Sequence, residues 1–163
     1  MKKISKLKQA KKRVRQSVSK FLAVRRRKRM TDVPFIAVTG SSGKSTTVEI
    51  LDHILSGELD GSCGIGSNDL NAIVKTLRRV PRDADYVIQE VSAEYPGALD
   101  ERIELLQPNL AIVMTIGLEH NTAFRTREAV AAEKAKLVER LPADGVAILN
   151  ADDPHVSSMA ERT

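Results

Sequence analysis

Cysteine occurs once in 163 residues, tryptophan is missing, and aromatic side chains make up only 3% of the chain. The single Cys63 excludes an internal disulfide framework and fits a reducing compartment. Set among glycines in "DGSCGIGSND", it reads as incidental rather than as a thiol nucleophile. So few aromatic rings leave little for bases to stack on, which ranks a nucleic-acid-binding ATPase last among the functions considered. No apolar run approaches the length of a membrane span. The start lacks the apolar block and cleavage site of a secretory signal, although its basic, acid-free character overlaps that of a mitochondrial transit peptide.

Acidic residues are also missing from one place in particular. Residues 1–30 hold 14 of the 26 Lys and Arg and no Asp or Glu. The other 133 residues carry 12 basic and 21 acidic side chains, so a formal balance of −9 underlies the overall +5. The chain is a basic segment, residues 1–32, joined to an acidic domain, residues 33–163. In the segment Ile4, Leu7, Val14, Val18, Phe21 and Leu22 recur at helical spacing with cations on the other faces. That is a basic amphipathic helix. It suits an anionic membrane surface, RNA phosphates, a partner protein or plain solvent. Pro34, after Thr31 and Asp32, marks the border.

From there apolar and helical signals alternate. "FIAVTG", "DYVIQEV", "LAIVMTIG" and "GVAILN" read as four buried strands. "KSTTVEILDHILSG", with Val48, Leu51, Ile54 and Leu55 on one face, reads as a helix. So do "NDLNAIVKTLRRV", "GALDERIELLQ" and "TREAVAAEKAKLVERL". The pattern predicts an α/β fold, a mostly parallel sheet wrapped by helices.

The first strand runs into "TGSSGKST" and then a helix, the setting a phosphate-binding loop requires. Gly40 and Gly43 let backbone amides approach an anion, and the helix N-terminus adds partial positive charge. Lys44 can reach terminal phosphates, and the hydroxyl of Ser45 or Thr46 can ligate Mg²⁺. Yet Val38 stands where the common G-x-x-x-x-G-K-[ST] pattern has its first glycine. Ligands of such sheets sit beyond the carboxyl ends of the strands. There the second strand brings Glu90, the third leads to His120, and the fourth ends at Asn150, ahead of Asp152 and Asp153. An acid, an imidazole and the loop hydroxyls thus converge on one edge, as a Mg²⁺–triphosphate site needs.

In the helix that starts near Thr126, Val130, Leu137, Val138 and Leu141 share a face, and Lys134 lies in the middle of it. An inward lysine is expensive unless paired or neutralised. Either its stem snorkels to solvent or pairs with Glu90, or it is a desolvated amine able to act chemically.

At these residues the chain resembles the Mur ligase family, the ATP-dependent amide-bond-forming enzymes of peptidoglycan (cell wall) synthesis and their relatives. "TGSSGKST", "SNDLNAIVKTLRRV", "YVIQEVS", "TIGLEHNTAF", "AAEKAKLVERLPADG" and "VAILNADDP" follow in family order from about Phe35 to Asp153. The set looks most like the D-alanyl-D-alanine-adding branch. The resemblance implies a P-loop-type central ATP-binding domain. In it Thr39, Gly40, Ser41, Ser42, Gly43 and Lys44 hold phosphates, and Ser45 or Thr46 binds a first Mg²⁺ with Glu90. His120 binds a second ion. Lys134 matches the position that such ligases carbamylate with CO₂, turning the amine into a carboxylate-like metal ligand. Asn68 and Asn71 match an asparagine-bearing loop near the phosphates. The implied reaction transfers the γ-phosphoryl group of ATP to a carboxylate. An amine then attacks the acyl phosphate, releasing ADP and phosphate.

Departures from the family shape the expectation. Family members usually begin with a domain for a UDP-linked substrate and end with one carrying adenine contacts and the amine site. Here a basic segment comes first and "MAERT" closes the chain. The expectation is therefore a cytoplasmic ligase fragment or one piece of a split enzyme, with acid and amine unidentified, peripheral on the inner membrane face through residues 1–30. A stand-alone P-loop module, acting as a membrane-associated scaffold or regulator, is the competing class. "IQEVSAE" and "EHNTAFRTRE" differ locally from the muropeptide ligases, leaving room for another carboxylate substrate.

Overall fold

The computed structural model describes residues 2–65, 70–118 and 123–162, with side chains from residue 9 onward. Helix α1 (Lys2–Arg27) precedes an alternation of strands and helices. In chain order these are β1 (Phe35–Thr39), α2 (Lys44–Leu55), β2 (Gly61–Gly64), α3 (Leu70–Arg79), β3 (Tyr86–Glu90), α4 (Ala98–Leu106), β4 (Leu110–Val113), α5 (Arg127–Glu139) and β5 (Val146–Leu149). A short α6 (Pro154–Ser157) and a 3₁₀ turn (Ser158–Arg162) close the chain. The sheet is five-stranded and parallel throughout, in the order β2-β3-β1-β4-β5. The predicted α/β class with a parallel sheet is what the structure shows.

Parallel strands covered on both faces read as continuous apolar runs, and β1 and β3 are buried at every position. Alternation along the strands divides the core. Phe35, Ala37, Val87, Ala111 and Val113 face α3, α4, α5 and the C-terminal turns, joined by Ala23 and Met30 from the end of α1 and the turn after it. Ile36, Val38, Ile88 and Ile112 face α2 through Val48. The Tyr86 hydroxyl donates to Asp52 Oδ1 at 2.9 Å and ties α2 to β3.

Three expectations are corrected. The sheet has a fifth strand beyond the four expected, β2, which pairs Gly61 to Gly64 with Tyr86 to Gln89. Glycine is a poor strand former, but here small size is what the site requires: a Cβ on Gly61 would run into the Tyr86 ring, and one on Gly64 into Gln89. The third predicted strand was expected to run through Gly117, yet β4 stops at Val113. Its neighbours β1 and β5 end at Thr39 and Leu149, so no ladder remains to extend it. In α2, Ile54 was expected on the buried face and stands 65% exposed, the described residues placing no second helix beside α2 on that side of the sheet.

The last turn of α1 is built into the domain. Arg27 is 7% exposed. Its guanidinium donates to the carbonyls of Leu106 (2.6 Å) and Gln107 (2.5 Å) at the end of α4, and it lies 4.0 Å over the Phe35 ring. A cation on the last carbonyls of a helix complements the negative end of its dipole.

Candidate functional site

The strand order reverses on either side of β1, where β3 lies to one side and β4 to the other. Such a switch point opens a crevice beyond the carboxyl ends of the strands, and the loop 40–43 leaves β1 at that point. Gly43 adopts φ 80° as the residue before α2, and no side chain caps the helix. The first amides of α2 are therefore not taken by a side-chain cap. Gly40 is forced by close approach: a Cβ there would lie 2.7 Å from Met114 Cβ. Lys44 Nζ donates to Gly40 O at 2.7 Å, so the ammonium folds back over the loop. Thr39 is fully buried, and its Oγ1 has no hydrogen-bond partner among the described residues.

The chain beyond β4 clasps this loop. Ser41 N donates to Thr115 O at 2.8 Å, and Ser42 N to Thr115 Oγ1 at 3.3 Å. Gly117 N donates to Ser41 Oγ at 2.7 Å, and that hydroxyl donates to Gly117 O at 3.2 Å. The loop is thus preorganised from a second strand end rather than by its own sequence alone.

The contact that joins separate segments is between Ser45 and Glu90. Ser45 Oγ donates to Glu90 Oε2 at 2.7 Å, and Glu90, the last residue of β3, is 3% exposed. A hydroxyl and a carboxylate at this distance form a pair of hard oxygen donors suited to Mg²⁺. Thr46, the other candidate hydroxyl, is exposed.

Lys134 lies inward on α5 as its periodicity predicted and is 0% exposed. Its neighbour Glu133, 4% exposed, was missed. The Glu133 carboxylate accepts from Gly97 N and Leu99 N at 3.0 Å, capping the start of α4, and from Lys136 Nζ at 2.8 Å. Lys136 also donates to Asp100 at 2.8 Å, which holds the Asp100 carboxyl below its ordinary range. These bonds fix the position of α5, and with it Lys134, against α4. A lone acid beside a lysine gives no periodic signal by which to find it.

Asp153 is the second residue whose role the sequence did not specify. Its carboxylate accepts from His155 N (3.0 Å) and Val156 N (3.3 Å) as the N-cap of α6, and from Ile116 N (2.7 Å) in the clasp beyond β4. Burial pushes the Asp153 pKa up, but the three amides outweigh it and the net shift is downward. Asp followed by Pro154 is a helix-start signature that could have revealed the cap.

The structure thus brings together Thr39, Gly40, Ser41, Ser42, Gly43, Lys44, Ser45 and Glu90. Asn71, in the first turn of α3, is exposed and lines a groove between α1 and α3 with Lys12, Arg15 and Lys75. Asn68 and His120 lie outside the described residues.

A parallel sheet whose central strand feeds a glycine-bent loop, a lysine and a metal-suited hydroxyl–carboxylate pair defines a P-loop-type α/β protein. The Mur ligase middle domain profile matches residues 38–163, and the chain belongs to the Mur ligase family. It is 36% identical over 130 residues to the UDP-N-acetylmuramoyl-tripeptide–D-alanyl-D-alanine ligase of Mycobacterium tuberculosis, covering 78% of this chain and 25% of that one. Against the Escherichia coli ligase of the same name, identity is 33% over 120 residues, covering 72% and 26%. The chain therefore spans about a quarter of the length of these curated relatives. Among solved structures, MurF from Acinetobacter baumannii superposes with a TM-score of 0.80 at 27% identity, over 88% of this chain and 32% of that one. MurF from Thermotoga maritima, solved in complex with ADP, has the same fold (TM-score 0.76, 24% identity, 88% and 34% covered).

Proposed function

We propose that this chain is the ATP-binding part of a carboxylate–amine ligase, forming an amide bond with release of ADP and phosphate. The observation that carries the reading is the 2.7 Å bond from Ser45 to Glu90, which joins the phosphate loop to the end of β3. Lys44 and the loop amides from Gly40 to Gly43 would hold the β- and γ-phosphates. Ser45 and Glu90 would hold a Mg²⁺ ion, and His120 and a carbamylated Lys134 would serve a second. The donor chemistry fits: hydroxyl and carboxylate oxygens for a hard cation, a glycine at position 40 where a Cβ would collide with Met114, and one at position 43 where φ is 80°.

The reaction asks little of protein nucleophiles. A carboxylate is a poor electrophile, and phosphorylation gives it a leaving group. Lys44 and the helix N-terminus would stabilise the charge on the transferred phosphoryl group, and a Mg²⁺ ion held by Ser45 and Glu90 would supply further neutralising charge. The clasp from Thr115 and Gly117 keeps the loop in place, and Ser41 N and Ser42 N would exchange Thr115 for a phosphate oxygen on nucleotide binding.

The names of the relatives put a UDP-linked muramoyl tripeptide and D-alanyl-D-alanine first among acids and amines to test. Carboxylate-dependent ADP release tests the reading, measured on the protein together with whatever chain supplies the amine site. The expected result is release that requires acid, amine and Mg²⁺ and that is lost in Lys44→Ala. ATP hydrolysis indifferent to every carboxylate and amine would overturn the ligase.

A further inference from the structure

Helix α1 keeps its apolar stripe away from the domain it belongs to. Val14, Val18, Phe21 and Leu22 recur at i, i+4, i+7 and i+8 and are 64%, 52%, 64% and 43% exposed. At 100° per residue this stripe lies opposite the side formed by Ser19, Ala23 and Arg27. That opposite side holds the domain. Ala23 is fully buried, Ser19 Oγ accepts from Arg78 at 3.1 Å, and Arg27 grips the end of α4. The helix is thus fixed in orientation with large apolar side chains turned outward, the reverse of what burial in its own core would produce.

What borders the stripe is cationic. Lys11 and Arg15 flank it on α1, and Arg78 from α3 shares the shallow groove beside Val18 and Leu22. Lys75 and Arg79 extend the charge across α3. Residues 1–30 contain no acid at all. A second copy of this helix would set like charges against like, which disfavours self-association through the stripe. Nucleic acid would satisfy the cations but offers Val14, Val18 and Leu22 no apolar volume. No described helix is long and apolar enough to cross a membrane.

We propose that the outward face of α1, with the basic edge of α3, docks on an anionic phospholipid surface. The helix lies in the interface plane, with Val14, Val18, Phe21 and Leu22 entering the acyl boundary and the surrounding Lys and Arg meeting headgroup phosphates. A planar lipid surface satisfies the apolar stripe and the two-helix basic edge at once, where an acidic helix from a partner protein would cover only the stripe and one flank.

Flotation with vesicles of phosphatidylglycerol and phosphatidylcholine tests this on the full chain. Binding is expected to the mixed vesicles, to weaken by at least tenfold on pure phosphatidylcholine, and to weaken with added salt. The double variant Val18→Asp, Phe21→Asp should lose at least tenfold in vesicle binding while keeping its melting temperature and nucleotide affinity, because both side chains project into solvent. Failure to bind mixed vesicles, or equal binding by the double variant, overturns the proposal. A dimer that the double variant splits would assign the stripe to a second copy instead. A failed vesicle test would leave the ligase reading intact, since that stands on the Ser45–Glu90 contact and is tested by carboxylate-dependent ADP release.

Discussion

At the scale of single residues, side chains that sequence did not single out hold the site in shape. Glu133 caps α4 and pairs with Lys136 while buried. Replacing it with Ala strands two amides and leaves the Lys136 ammonium with Asp100 alone, and Glu133→Ala should cost about 3 kcal/mol in urea unfolding. Lys134 carries the chemical claim. Protein equilibrated with ¹³C-bicarbonate should show a carbamate carbon resonance that disappears in Lys134→Met; a resonance that survives the substitution would contradict the assignment. Asp153 links pH to stability. Its pKa lies below the unfolded value, so its contribution is complete above about pH 5 and is lost as pH falls through the folded-state value below about 4. Asp153→Ala should therefore cost about 1–2 kcal/mol at neutral pH and almost nothing in strong acid. Inward placement of Lys134 was legible because the helical period exposes a misfit. Glu133 was not, because the amides it caps lie in α4, distant in sequence; for Asp153 the Asp-Pro start signals the local cap, but no pattern of side chains records its bond to Ile116 N.

At the scale of elements, the strong periods were read correctly and the weak ones missed. β1 and β3 announce themselves as apolar runs, and "GKST" opening α2 follows from loop chemistry. β2 was invisible because "GSCG" has neither a β-branched residue nor alternation; what makes it a strand is the shape of its neighbours Tyr86 and Gln89. Gly61→Ala should accordingly destabilise by about 2 kcal/mol, by forcing the Tyr86 ring aside, with the loss read as a lower melting temperature. Where β4 ends was equally illegible, since a strand stops when its partners stop, and the partners lie elsewhere in the sequence. Helix α1 illustrates the converse. Its amphipathic pattern was plain, but which face meets the domain depended on Arg27, whose bonds to Leu106 and Gln107 no spacing rule predicts. Arg27→Ala should destabilise by about 3 kcal/mol, and Arg27→Lys should recover little of it, because one ammonium cannot reach both carbonyls and stack on Phe35.

At the scale of the whole molecule, the account rests on convergence. Segments far apart in sequence meet at one rim: loop 40–43 and Lys44 after β1, Glu90 at the end of β3, and the Thr115–Gly117 clasp beyond β4. This convergence followed from the topology alone, since parallel strands bring their carboxyl ends to one edge. The metal-suited contact and the clasp became visible only in three dimensions. Calorimetric titration of the full chain with ATP, with and without Mg²⁺, tests the convergence most directly. The account predicts saturable, Mg²⁺-strengthened binding that falls at least tenfold in Lys44→Ala and loses its Mg²⁺ dependence in Glu90→Gln. Absent binding, or binding unchanged by either substitution, would contradict it.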